Sequence, residues 1–108
     1  MLRHADFQAV YKEGRKHFSG NITAFYRRRT DGGSPRVGFT VGKVLGGAVQ
    51  RNRIRRRMRA AVQRHLAALS VPLDVVMHPR KAVLTMDFNH LDSEVAQVLG
   101  AIQKGRTR

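Results

Sequence analysis

Apolar positions along this chain fall into three stretches with helical spacing and three extended stretches. From His4 to Glu13, Phe7, Val10 and Tyr11 recur at i, i+3 and i+4, and Gly14 follows as a terminator, which predicts a short amphipathic helix. Asn21 to Arg29 alternates instead. Ile22, Ala24 and Tyr26 share one face while Asn21, Thr23, Phe25 and Arg27 share the other, the pattern of a half-buried strand. Asp31-Gly32-Gly33-Ser34-Pro35 is turn chemistry, so Arg36 to Val41 is expected to return antiparallel as its hairpin partner. Val37, Phe39 and Val41 would point inward, and Gly38, Thr40 and Gly42 would leave the opposite face shallow. After Gly46-Gly47 a long helix is expected to run to about Leu69, where Ser70-Val71-Pro72 stops it. At ~100° per residue, Ile54, Met58, Ala61, Val62, His65 and Leu69 form one narrow stripe along it. Leu73 to Met77 reads as a mostly buried strand ended by Pro79. Leu91 to Gln103 reads as a last helix packing Val95, Val98, Leu99 and Ile102, with Asp92 or Ser93 as its cap. The order describes an α+β sandwich with helices covering one face of a small sheet, a single domain over 1–103 and a short, basic, disordered tail at 104–108.

Charge narrows the class of partner. Lys and Arg total 21 against seven Asp and Glu, a net +14 at pH 7, so folding confines strong self-repulsion that an anionic partner would relieve. Nucleic acid is the expected anion. With no cysteine in 108 residues, disulfides, thiolate metal sites and cysteine nucleophiles are excluded, and the absence fits a reducing cytoplasm. The first six residues lack an apolar signal core, and no stretch approaches the ~18 apolar residues of a membrane span, so secretion and membrane insertion are not expected.

Two surfaces then carry chemistry. Arg51 to Arg59 holds six arginines in nine residues, and no acid interrupts the seven arginines between 51 and 64. In projection Asn52, Arg55, Arg56 and Arg59 occupy one arc and Arg53, Arg57 and Arg64 another, so both flanks of the buried stripe offer planar donor forks suited to phosphate oxygens and base edges. The second surface joins Phe7 and Tyr11, one turn apart, to Phe25 on the polar face of its strand. Beside Asn21, Arg27 and the bare Gly38 and Thr40, these rings would line a shallow groove where single-stranded bases stack; alternatively, they pin the first helix to the sheet. Arg27-Arg28-Arg29 either touches phosphate or solubilises a strand end. His4, His17, His65, His78 and His90 show no metal-site spacing, and His65 reads as a core histidine. A protein nuclease would need clustered carboxylates or a histidine pair, and neither is visible; Asp92 and Glu94 read as cap and dipole partners of the last helix.

Val37-Gly38-Phe39-Thr40-Val41-Gly42-Lys43, followed by Gly47-Ala48-Val49-Gln50-Arg51-Asn52-Arg53-Ile54-Arg55-Arg56 and Arg59, resembles the central signature of the bacterial ribonuclease P protein subunit. Asp6-Phe7-Gln8-Ala9-Val10-Tyr11-Lys12-Glu13-Gly14 is similar to that family's first helix, and the likeness continues through Asp74-Val75-Val76 to the final helix. It implies a two-layer fold like ribosomal protein S5 domain 2, in the order αβββαβα, with a left-handed crossover between Val41 and Leu73. It also implies a role beside a large catalytic RNA, ribonuclease P RNA, which removes the 5′ leader of precursor tRNA using magnesium ions held mainly by that RNA. The resemblance assigns Arg51, Asn52 and Arg53 to the RNA subunit, with Lys43, Arg55, Arg56 and Arg59 joining them. The leader falls to Phe7, Tyr11, Phe25 and Arg27. The chain departs from the family at Gly46-Gly47, where Gly-Asn is usual. It departs again at Gly42-Lys43-Val44, in place of Ser-Lys-Lys, and at Met77-His78-Pro79-Arg80, near a common Ala-Arg-Pro. The competing expectation is a ribosomal or ribosome-assembly protein, which needs no leader groove; a DNA-binding domain lacks its helix-turn-helix pattern.

Overall fold

The computed structural model describes residues 4–30 and 32–104. Most of the expected tail and the turn residue Asp31 lie outside them. The chain runs through α1 (His4–Glu13), β1 (Arg15–Phe18), β2 (Ile22–Arg28), β3 (Arg36–Phe39), α2 (Ala48–His65), β4 (Leu73–Pro79) and α3 (Phe88–Gln103). Single 3-10 turns at Lys43–Leu45, Leu66–Ala68 and Lys81–Leu84 join the later elements. This is a mixed α+β fold in the expected order αβββαβα.

The sheet corrects the hairpin reading. Its spatial order is β1-β2-β4-β3. β2 pairs antiparallel with β1 on one side and with β4 on the other, so no edge of β2 is left for β3. β3 instead lies parallel to β4, Arg36 opposite Asp74 and Phe39 opposite Met77. The connection from β3 to β4 passes through α2, as a parallel pair requires. What the sequence hid was β1: Arg15-Lys16-His17-Phe18 has one apolar residue and an exposed edge, so it shows no alternation of burial.

The expected inward faces form the core. Ile22, Ala24, Tyr26, Val75 and Met77 pack against Ile54, Met58, Ala61 and Val62 of α2 and Leu91, Val95, Val98, Leu99 and Ile102 of α3. Val41 is buried with them, and Val37 and Phe39 pack half-buried at its edge. The alternate residues of the strands face the other way, and α1 covers part of that second face, with Val10 and Val76 buried together and Phe7 and Phe25 packed around them. Helices α2 and α3 therefore supply the layer that the patterning anticipated, while α1 sits opposite. Gly14 permits this: a Cβ there would stand 2.4 Å from the Val10 carbonyl oxygen and 2.5 Å from that of Tyr26.

The start of α3 is three residues earlier than periodicity suggested. Asp87 caps it, its carboxylate accepting the Asn89 N–H at 3.1 Å. Asp92 and Glu94 are consequently inside the helix and bond elsewhere. Asp92 accepts from Arg64 Nε at 2.9 Å and lies 3.0 Å from His65 Nε2, which makes His65 a half-buried partner of an acid at the margin of the core. Glu94 is buried and accepts from the Ser19 hydroxyl, the Asn21 backbone N–H at 2.7 Å and the Asn21 side-chain amide at 2.8 Å. It fastens the β1–β2 turn to α3. Burial alone would raise its pKa; the bonds from Ser19 and Asn21 outweigh that and hold it below the ordinary glutamate value.

Candidate nucleic-acid interface

The two flanks of α2 differ in what their arginines touch. On one flank, Arg53 Nε donates to the Leu84 carbonyl at 3.1 Å, Arg57 Nε donates to the Val83 carbonyl at 2.8 Å, and a second Arg57 nitrogen donates to the Met86 carbonyl. The Arg57 guanidinium also lies 6.0 Å from the Phe88 ring centroid. With Arg64 on Asp92, this flank is largely engaged in holding α2 to the Lys81–Leu84 turn and to α3. On the other flank, Asn52, Arg55, Arg56 and Arg59 line a shallow bay of about 370 Å³ together with the exposed Val49. Arg55 donates to the Asn52 side-chain oxygen at 2.9 Å, a bond within the group, and no carboxylate lines the bay. Four donor-rich side chains beside an apolar one, with no acid to neutralise them, suit a polyanion that also offers flat faces.

The remaining residues assigned to this surface lie at the helix entry. Lys43 is exposed in the 3-10 turn ahead of α2. Gly46, at φ 125°, turns the chain into the helix, a conformation that side chains rarely adopt. Arg51 is half-buried, and its Nε is buried without a partner among the described residues. The first turn of α2 contains no acidic residue and Gly47 provides no side-chain cap, so neither offsets the positive end of the helix dipole.

The open part of the second sheet face holds an aromatic cluster. Tyr11 meets Phe7 edge-on with centroids 6.5 Å apart and Phe25 edge-on at 5.1 Å. Lys16 of β1 places its Nζ 5.4 Å above the Phe25 ring. The third ring against Tyr11 and Phe25 is His78, at 5.6 Å and 4.9 Å, a residue that sequence patterning did not bring into the groove. Alternation along β4 was the available signal, since Asp74, Val76 and His78 must share the face that Leu73, Val75 and Met77 do not. Burial lowers the His78 pKa, so the ring is neutral at pH 7.

Arg27, the fourth residue assigned to the groove, is already paired. It donates to Glu13 at 2.7 Å and lies 3.5 Å from Asp74. Asp74 is fully buried, with Arg29 at 2.5 Å and Arg36 at 2.9 Å on the same oxygen. Burial pushes its pKa up, but hydrogen bonds from Arg36 and Arg29 more than reverse this and leave it below the ordinary aspartate value. Of the Arg27-Arg28-Arg29 run, Arg28 is exposed, whereas Arg29 neither solubilises nor stands ready for phosphate: it neutralises Asp74.

Asp74 and Glu94 are saturated by donors, and among the described residues no three His, Cys, Asp or Glu side chains group as metal ligands. No helix among the described residues is long and apolar enough to cross a membrane.

The fold and this surface define a small basic α+β protein with an arginine-lined bay on one helix and an aromatic cluster on the far side of its sheet. A family profile described as Ribonuclease P matches residues 1–103. The chain is 37% identical over 103 residues to the ribonuclease P protein component of Acidothermus cellulolyticus, covering 94% of this chain and 86% of that protein. It is 35% identical over 97 residues to that of Streptococcus pneumoniae, covering 90% and 78%. Among solved structures, the Staphylococcus aureus RNase P protein superposes with a TM-score of 0.81 at 25% identity, covering 94% of this chain and 93% of that one. The Thermotoga maritima RNase P protein gives 0.81 at 25%, covering 91% and 93%. The chain belongs to the ribonuclease P protein component family, and so takes the role of a subunit of this tRNA-processing ribonuclease.

Proposed function

We propose that α2 docks the chain on the catalytic RNA of ribonuclease P through its open flank, and that the cleft between α1 and the sheet receives the single-stranded 5′ leader of precursor tRNA. The observation that carries this reading is the acid-free bay of Asn52, Arg55, Arg56 and Arg59, beside an opposite flank engaged with the protein's own carbonyls and Asp92. Arg51 and Lys43 add charge at the helix entry, and Arg53, on the engaged flank, is exposed beyond its bond to Leu84 and can add a further contact. Phe7, Tyr11 and Phe25 supply faces on which leader bases stack, and Lys16 supplies charge for the backbone. The chain neutralises repulsion between two RNAs and raises affinity for the precursor, while cleavage belongs to the RNA subunit, whose phosphates hold the magnesium ions. Because tRNA precursors are processed where they are made, the working location is the cytoplasm.

Reconstitution tests this directly. The purified chain alone is expected to leave precursor tRNA intact, and its addition to the RNA subunit at low magnesium is expected to restore cutting at the 5′ leader junction. No rescue at any protein concentration would overturn the reading. Phe25→Ala is expected to weaken binding of leader-bearing precursor by about 1–3 kcal/mol where a base stacks on that ring, and to spare mature tRNA. Equal weakening for both would make Phe25 a packing residue.

A further inference from the structure

The aromatic cluster contains a polar arrangement that stacking does not use. The Tyr11 hydroxyl lies 2.9 Å from His78 Nε2 and 3.0 Å from Thr40 Oγ1, so α1, β4 and the end of β3 meet at one oxygen. A neutral imidazole has one N–H and one bare nitrogen, and each hydroxyl can donate or accept. Two bond orders therefore satisfy the same heavy-atom positions. In one, Thr40 donates to Tyr11, Tyr11 donates to Nε2, and Nδ1 carries the proton. In the other, Nε2–H donates to Tyr11, Tyr11 donates to Thr40, and Nδ1 is bare. His78 Nδ1 has no hydrogen-bond partner among the described residues, and the half-buried ring lies against Tyr11 and Phe25 on the α1 side of the sheet.

We propose that His78 Nδ1 hydrogen bonds the edge of one leader base lying against Phe25, and that reversal of the Thr40–Tyr11–His78 chain lets it do so as donor or acceptor. Each base edge carries donors and acceptors side by side, such as the amino group and ring nitrogens of adenine or the carbonyl and N–H groups of uracil, and which of them meets a fixed protein atom depends on the base and its pose. A nitrogen fixed as donor can use only the acceptors of a base edge, whereas a reversible one bonds whichever group the base turns towards it and so adds affinity with any of the four. This suits a protein that must accept precursors whose leaders differ. The inference rests on the leader-binding reading above and adds to it a polar contact at a position where this chain departs from its family's pattern.

The test uses protein reconstituted with its RNA subunit and precursor tRNA in which each leader nucleotide in turn is made abasic. His78→Val keeps a residue suited to a strand and removes both ring nitrogens. It is expected to weaken binding of leader-bearing precursor roughly tenfold, the worth of one good hydrogen bond. At one leader position, the abasic substitution should weaken the native complex by the same factor and leave the variant unchanged, and all four bases there should lose alike. Additive losses at every position, or a loss confined to one base, would overturn the proposal. A purely structural tie between α1 and β4 would give the additive result. If His78→Val does not assemble, Tyr11→Phe keeps the ring and removes only the shared hydroxyl; a roughly threefold loss cancelled by the same abasic nucleotide is then expected. Unchanged leader affinity in Phe25→Ala would sink the cleft reading itself, whereas a leader-specific loss in Phe25→Ala beside additive losses in His78→Val would sink only the assignment of His78.

Discussion

Arginines are concentrated in two regions of this protein, around Asp74 and along α2, and the two clusters use the same side chain for opposite ends. Around Asp74, Arg27, Arg29 and Arg36 converge on one buried carboxylate at the end of the sheet. Along the open flank of α2, Asn52, Arg55, Arg56 and Arg59 line a bay with no acid between them. A guanidinium beside a buried acid is bound to the protein's own stability, because removing the acid strands a desolvated charge. One in a carboxylate-free bay contributes little to folding and keeps its donors for a partner. Density of arginine in the sequence therefore says nothing about its use; the position of seven acids decides it.

Asp74 is where the two regions should diverge most. Asp74→Asn is expected to cost about 3–5 kcal/mol of stability, since it removes the buried charge on which Arg27, Arg29 and Arg36 converge, measured as a loss of thermal or denaturant midpoint. Arg56→Ala should stay within about 0.5 kcal/mol of native in the same measurement. Comparable losses from both would erase the distinction between the regions. pH reports the same asymmetry. Asp74 and Glu94 have folded pKa values below their ordinary ones, so their contribution is present above about pH 4 and is lost as pH falls through the folded values. His78 is also lowered, so its share begins to fade as pH drops below about 6.5. The acid limb should flatten in Asp74→Asn and persist in Arg56→Ala.

The open flank should dominate when binding is measured instead. Replacing Arg55, Arg56 and Arg59 together by Ala is expected to reduce the slope of log affinity for the RNA subunit against log salt by roughly one unit for each phosphate that is no longer neutralised. Arg57→Ala should do the reverse, costing about 1–3 kcal/mol of stability through the carbonyls it leaves unpaired with the slope unchanged. A salt slope that falls with Arg57 and not with the triple variant would exchange the roles of the two flanks.

How much of this could be read from the chain follows from the range of the interactions. The helical stripe Ile54, Met58, Ala61, Val62 and the strand faces Ile22-Ala24-Tyr26 are local periodicities, and they are buried as the pattern required. The family signature carried the element order. Strand partnership is not local: nothing in Arg36–Phe39 says whether it pairs with β2 or β4, and turn chemistry at 31–35 pointed to the wrong neighbour. For the same reason the projection of α2 gave both flanks equal charge. Only the fold brings the Lys81–Leu84 turn and Asp92 beneath Arg53, Arg57 and Arg64. The roles of Asp74 and His78 have no local signature either. Tyr11 is 29 residues from Thr40 and 67 from His78 along the chain, and Asp74 is 38 from Arg36 and 45 from Arg29.

Arg53 stands between the two uses and sets the finest test. Its Nε is held by the Leu84 carbonyl, yet the side chain is exposed and the bond is to a neutral acceptor that water can also reach. Loss of that bond alone should cost about 0.5–1 kcal/mol of stability. The terminal nitrogens remain available to phosphate, so Arg53→Ala should also lower the salt slope for the RNA subunit by up to roughly one unit. Arg53→Gln, which can keep a hydrogen bond to Leu84 but carries no charge, should recover the stability and not the slope. If Gln restores both, Arg53 belongs with Arg57 as a clamp; if it restores neither, the carbonyl bond is incidental and Arg53 belongs with the bay.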